Sequence, residues 1–146
     1  MSYYQHILIG LDLSDESEQV LQRACAVGEK GKTKISLAHI IEPLTFAYGG
    51  DIPMDLSEVQ DQLQAQASEQ LAALASRIGV QPDDQHVLIG QPATELHQLS
   101  EDQGADLIVV GSHGRQGLAL LLGSTANGVL HGAKCDVLAV RVRAPE

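Results

Sequence analysis

Short apolar runs alternate along this chain with longer stretches in which apolar residues recur every three or four positions. The short runs have the length and composition of buried strands. The longer stretches are typical of helices with one buried face. The five predicted strands are residues 6–11, 34–41, 86–90, 106–111 and 136–142. Strands that alternate with helices predict an α/β domain, with a doubly wound, mostly parallel sheet and helices on both faces.

Polar and small residues predict where the helices begin and end. Ser14, followed by two acidic residues, predicts the cap of a first helix with an apolar face formed by Val20, Leu21, Ala24 and Val27. Gln91-Pro92 predicts the start of a helix that stops at Gly104. The last helix is expected from Ser124 to about His131.

A long helix is predicted in the middle of the chain, after a loop at residues 42–53 that contains two prolines and two adjacent glycines. Seven apolar residues with helical spacing define its buried face, and Gly79 ends it. These residues are Leu56, Val59, Leu63, Ala67, Leu71, Leu74 and Ile78.

Length and composition restrict the class of protein. The 146 residues are 44% hydrophobic, which predicts one domain with one continuous core over residues 1–146. No apolar run is long enough to span a membrane, and the first residues lead directly into a strand, so we expect a cytoplasmic protein without a membrane partner. Only Cys25 and Cys135 are present, which disfavours a disulfide framework or a zinc site.

The formal charge of −10 reflects 19 acidic and 9 basic residues. The basic residues are scattered, and only 3% of the chain is aromatic. Nucleic acid is therefore disfavoured as a partner, because it requires a basic surface or a platform of aromatic rings for stacking. The charge itself predicts solubility.

A glycine-rich segment, Gly111-Ser-His-Gly114-Arg-Gln-Gly117, directly follows the predicted fourth strand. After five intervening residues, the sequence Gly123-Ser-Thr125 begins the last predicted helix. Glycines at a strand-to-helix turn allow a ligand to approach the backbone, and the free amides of a helix N-terminus bind anions. The segment predicts a nucleotide phosphate site.

Three segments together resemble the universal stress protein family: Ile7-Leu-Ile-Gly-Leu-Asp12-Leu-Ser14, His39-Ile40, and Val109-Val-Gly-Ser-His-Gly114 with Gly123-Ser124. The resemblance covers essentially the whole chain. It implies a Rossmann-like sheet with strand order 3-2-1-4-5, a homodimer and, in one branch of the family, an ATP site.

The resemblance also implies which residues bind ATP, or alternatively ADP or AMP, together with Mg²⁺ or Mn²⁺. Asp12 would accept hydrogen bonds from ribose or adenine, Ile40 would present its backbone to adenine, and Gly111 would line the ribose. The phosphates would be surrounded by Gly114, Arg115, Gly123, Ser124 and Thr125, with the charged side chain of Arg115 placed against them. The full set is Gly10, Asp12, Ile40, Gly111, Gly114, Arg115, Gly123, Ser124 and Thr125.

The glycine motif departs from the family pattern in one respect, because eight residues separate Gly114 from Gly123 where nucleotide-binding members have nine. This shortening favours an alternative, a dimeric protein-interaction module without nucleotide. Asp12 and Ser124 are also residue types that cap helices without binding any ligand.

Catalysis is not expected, because the chain has no recognisable set of nucleophile and base. A weak ATPase would need a polar group near the γ-phosphate. The only candidates for that group are Asp51, Asp55 and His113.

The predicted fifth strand, residues 136–142, is mostly apolar and would lie at an edge of the sheet. Edge strands of this kind are usually covered or paired. Pairing of this strand with its own copy would give a two-fold homodimer. No partner protein or stress signal is indicated by the sequence.

Overall fold

The computed structural model describes residues 4–42, 57–112 and 124–141. Five parallel strands form one sheet in the order β3-β2-β1-β4-β5, which confirms the predicted class and strand order. Each observed strand lies within two residues of its predicted bounds. The strands are β1 His6–Gly10, β2 Lys34–Ile41, β3 Gln85–Ile89, β4 Leu107–Gly111 and β5 Asp136–Val140.

Helices cover both faces of the sheet, as predicted for a doubly wound fold. Among the described residues, the helices are α1 Ser17–Val27, α2 Ser57–Ile78, α3 Pro92–Gln103 and α4 Ser124–Leu130, with a 3₁₀ turn at Pro82–Asp84. One apolar cluster joins α1 and α2 to the sheet and includes Ile9, Leu21 and Leu71. A second cluster on the opposite face joins α3 and α4 to it and includes Leu96 and Val129. The strands thus separate two apolar layers.

Helix α1 begins later than the sequence predicts. Ser14 was expected to cap it, but the helix starts at Ser17 and its N-cap is Glu16, which makes no side-chain capping bond. Ser14 belongs to the preceding turn, where its carbonyl accepts a hydrogen bond from the Ser17 amide at 3.1 Å. At the other end, Val27 was predicted on the apolar face of the helix but is 40% exposed, because it is the last residue of the helix.

The apolar stripe of α2 is only half buried. Leu71 is 1% exposed and Ala67 is also buried, but Val59 and Leu63 near the start of the helix are 43% and 37% exposed. The periodicity therefore predicted the helix correctly and its buried face too broadly. Leu56 and most of the predicted loop at 42–53 lie outside the described residues.

The start of β1 is held by a buried histidine, His6. Its Nδ1–H donates to the carbonyl of Gln103 at 3.1 Å, and the Ser36 hydroxyl donates to its Nε2 at 2.7 Å. Both ring nitrogens of the neutral imidazole are therefore satisfied. Burial lowers the pKa of His6 below its ordinary 6.5, and the bond to Gln103 only partly opposes this.

The burial of His6 predicts that the folded protein is less stable in acid. Because the folded pKa of His6 is below that of the unfolded chain, the unfolded state binds more protons as the pH falls through 6.5, and stability decreases as the pH is lowered. We expect the free energy of unfolding in urea to be lower at about pH 5 than at about pH 7.5. His6→Asn, which does not titrate, should reduce this difference. Burial also lowers the pKa of His86, so some difference should remain. An unchanged difference in the variant would contradict the assignment.

Candidate functional site

The candidate site lies where the central strand ends before its two neighbours. Pairing of β1 with β4 stops at Ile9–Val109, and pairing with β2 stops at Gly10–Ala38. Both neighbours continue further, β2 to Ile41 and β4 to Gly111. Because the helices that follow β1 and β4 pack on opposite faces of the sheet, this is a topological switch point, where α/β sheets bind ligands. We call the space beyond β1 the switch-point gap.

The backbone N–H and C=O of Ile40 point into this gap. The Leu11 amide donates to the Ala38 carbonyl at 2.9 Å, so the polar groups of Ala38 point toward β1. Successive residues of a parallel strand present their N–H and C=O groups to alternate neighbours. Ile40, two residues later, therefore points its N–H and C=O toward the same side, beyond the end of β1.

Gly111 faces the gap from the other side. The Ser112 amide donates to the Val140 carbonyl at 2.7 Å, and so points toward β5. By the same alternation, the N–H and C=O of Gly111 point toward β1. The gap is consequently lined by backbone groups of both neighbouring strands, from Ile40 and Gly111.

Asp12 is the second residue after β1, and its exposed carboxylate is oriented by its own turn. Its Oδ1 accepts hydrogen bonds from the Ser14 amide at 3.0 Å, the Ser14 hydroxyl at 2.7 Å and the Ser17 hydroxyl at 3.4 Å. Among the described residues, none donates to Oδ2. The turn therefore fixes one carboxylate oxygen and leaves Oδ2 without a donor from the described residues.

Leu13, in the same turn, has a φ angle of +59°, in the left-handed region that residues with a Cβ rarely adopt. Such a conformation costs on the order of 1–2 kcal/mol per residue. The side chain of Leu13 packs against the apolar cluster of α1 and α2, which helps to hold it there. The Asp12 turn is thus a strained segment held by surrounding contacts.

Close packing explains why residue 10 is a glycine. A Cβ at this position would lie 2.9 Å from Cδ1 of Leu96 and 3.2 Å from Cγ1 of Val110. The glycine lets α3 approach the end of β1 closely. Its predicted role in ligand binding stays a prediction.

His39 forms a hydrogen bond to the segment that follows β1. Its Nδ1–H donates to the carbonyl of Leu11 at 2.7 Å. Leu11 is thereby tied to β2 through both its amide and its carbonyl. Sequence reasoning missed this role, because a histidine near the end of a strand does not reveal a bond to another segment.

The predicted phosphate residues are described only in part. Gly114, Arg115 and Gly123 lie outside the described residues, as do the three candidates for an ATPase, Asp51, Asp55 and His113. Ser124 and Thr125 are the first two residues of α4, as predicted.

Helix α4 is held closely against α3. A Cβ on Gly128 would come within 2.8 Å of the Ala93 Cβ, and the His97 Nε2–H donates to the Val129 carbonyl at 2.8 Å. These contacts fix the helix that begins with Ser124.

Two further observations concern the described part of the chain. It contains no cluster of histidine, cysteine or acidic residues suited to hold a metal ion. Within it, no helix is long and apolar enough to cross a membrane.

Cys25 and Cys135 are free and partly buried, and burial raises the pKa of both thiols. They are poor candidates for nucleophiles at neutral pH.

Solved structures with this fold include the hypothetical protein MJ0577, which is 25% identical with a TM-score of 0.80 and coverage of 98% of this chain and 99% of that one. A universal stress protein crystallised in complex with cAMP is 27% identical, with a TM-score of 0.60 and coverage of 94% and 96%.

Two curated relatives agree with these matches. Universal stress protein A homologs 1 and 2 of Coxiella burnetii are each 40% identical to this chain. The alignments cover 94% and 98% of this chain and 96% and 99% of the relatives. Residues 3–141 match the universal stress protein family as a whole. The chain therefore belongs to the universal stress protein family.

Proposed function

We propose that this protein binds an adenine nucleotide in the switch-point gap and acts as a nucleotide-dependent stress regulator. The observation that carries the proposal is that three groups lie at the carboxyl ends of the neighbouring strands β1, β2 and β4. These are the backbone of Ile40, the backbone of Gly111 and Oδ2 of Asp12. Their side-by-side placement supports recognition of a nucleoside.

The chemistry of these groups suits adenosine. Adenine presents a ring-nitrogen acceptor beside an amino donor, and the N–H and C=O of one residue such as Ile40 can pair with both. An aspartate oxygen accepts hydrogen bonds from ribose hydroxyls, and a glycine such as Gly111 allows the sugar to approach the backbone. Ligand binding by these groups needs no change in the sheet.

The preferred ligand is ATP with Mg²⁺ or Mn²⁺. The glycine motif and the start of α4 at Ser124 supply amides of the kind that bind phosphates. ADP, AMP and cyclic nucleotides share the adenosine portion. The relative crystallised with cAMP supports adenine nucleotides as a class.

Binding without turnover is proposed, because efficient phosphoryl transfer needs a group that positions the attacking water. No such group is identified among the described residues. The nucleotide would then act as a signal, by favouring one arrangement of the site loops over another. The alternative, a dimeric interaction module without nucleotide, is favoured by the glycine motif that is one residue short.

The proposed homodimer forms through β5, which lies at one edge of the sheet. The backbone carbonyl of Val140 points toward β4, because it accepts a hydrogen bond from the Ser112 amide. Since backbone groups of successive residues point to alternate sides of a strand, the N–H and C=O of Ala139 point to the open edge. Ala139→Pro removes that edge donor while keeping the bonds to β4. Sedimentation should show dimers for the wild type and monomers for this variant, and a dimeric variant would contradict pairing through β5.

Titration calorimetry tests nucleotide binding directly. ATP with Mg²⁺ should bind the ligand-free protein with a Kd of about micromolar. Gly123→Val should abolish binding, because its side chain would obstruct the predicted phosphate turn, and circular dichroism would verify that the variant is folded. Parallel titrations with AMP and cAMP would identify the preferred nucleotide. No binding of any of them to the folded wild type would favour the interaction module.

A further inference from the structure

The hydrogen-bond ladder between β1 and β2 ends in an unusual way. Its last backbone bond runs from the Leu11 amide to the Ala38 carbonyl at 2.9 Å. In a continuing parallel ladder, the next bond would run from the Ile40 amide to the Leu11 carbonyl. At this point the Leu11 carbonyl instead accepts the Nδ1–H of the His39 ring, at 2.7 Å. A side chain thus occupies the place of the next backbone donor.

We infer that His39 is a positioning residue that keeps the Ile40 amide available to adenine, an inference that rests on the nucleotide site proposed above. The ring satisfies the Leu11 carbonyl, so the ladder does not extend and the switch-point gap stays open. Without this donor, the Leu11 carbonyl would be left unsatisfied beside the Ile40 amide. A buried unpaired carbonyl is costly, and pairing it with that amide would relieve the cost.

The same bond orients the turn that carries Asp12. The Leu11 carbonyl lies in the peptide group that joins Leu11 to Asp12, so the His39 ring fixes the plane from which the Asp12 turn departs. Leu13 follows in its strained left-handed conformation. The ring therefore sets the distance between two parts of the site, the end of β2 and the aspartate turn.

Two substitutions of His39 distinguish the effect of its N–H donor from the effect of the bulk of its ring. His39→Phe keeps an aromatic ring and removes the donor. His39→Asn keeps an N–H donor at the same number of bonds from the backbone as Nδ1. Leu74→Ala is the control for general loss of stability, because Leu74 lies in α2 and is partly buried against the apolar cluster of α1 and α2.

Two readouts are measured for each variant: the Kd for ATP with Mg²⁺ by calorimetry, and the hydrogen-exchange rate of the Ile40 amide without nucleotide. His39→Phe should weaken ATP binding about tenfold, the usual scale of one or two hydrogen bonds, and slow exchange at Ile40. His39→Asn and Leu74→Ala should bind within about twofold of the wild type and leave that exchange unchanged.

Other outcomes are equally decisive. Wild-type affinity and unchanged Ile40 exchange in a folded His39→Phe variant would overturn the inference. Equal losses in His39→Phe and Leu74→Ala would do the same, since they would reflect stability alone. Absence of ATP binding to the wild type would overturn the proposed function instead. In that case, the exchange rate of Ile40 in His39→Phe would still decide whether the ring prevents extension of the ladder.

Discussion

Asp12→Ala should weaken ATP binding at least tenfold while leaving the protein folded. The substitution removes the Asp12 carboxylate, whose Oδ2 has no donor among the described residues and is proposed to accept hydrogen bonds from the nucleoside. Hydrogen bonds to a charged group contribute about 1.5–3 kcal/mol, or roughly 10- to 100-fold in Kd. Calorimetric titration with ATP and Mg²⁺ measures the effect.

Asp15→Ala is the matched control, because it removes the same charge from an exposed residue of the same segment. It should bind ATP as the wild type does. Ser14→Ala is a second control, since it removes a hydroxyl donor to Asp12 Oδ1 but keeps the carboxylate. An equal loss of affinity in Asp15→Ala would mean that the effect is one of net charge, and would contradict a direct contact from Asp12.

Leu71→Ala should lower the free energy of unfolding by about 2–5 kcal/mol, the usual range for truncation of a buried leucine. Leu71 is 1% exposed and packs α2 against the sheet. Leu63→Ala makes the same change on the same helix where the side chain is 37% exposed, and should cost less than about 1 kcal/mol. Urea unfolding of both variants measures the difference.

Equal costs at these two positions would contradict the described packing of α2. They would mean that Leu63 is buried in solution, either within the chain or against another molecule. Unfolding measured at several protein concentrations would distinguish these cases, because burial against a second copy makes stability depend on concentration.

The central strands of this protein could be predicted from the sequence because β1 and β4 are buried on both faces. Continuous apolar runs such as Leu107–Gly111 have few alternative interpretations when helical segments lie between them. The extent of helix burial could not be predicted in the same way. Periodicity identifies an apolar stripe, but the length of stripe that is covered depends on neighbouring segments. For this reason Leu71 is buried and Leu63 is not.

The positions of Asp12, Ile40 and Gly111 at one rim could be anticipated, because the carboxyl ends of parallel strands lie at the same edge. The directions in which their polar groups point could not be anticipated. These directions depend on the alternation of backbone groups along each strand and on the residue at which the β1 ladder stops. The bond from His39 to Leu11 links residues 28 positions apart, and no local pattern indicates such a contact.

The most direct test of nucleotide binding in the switch-point gap is a titration of the protein with ATP and Mg²⁺ followed by amide NMR. The account predicts shifts concentrated at Leu11 to Ser14, at His39 to Ile41 and at Val110 to Ser112, the three segments around the gap. Shifts confined to other surfaces, such as the open edge of β3, would contradict it, as would a spectrum of the folded protein that ATP leaves unchanged.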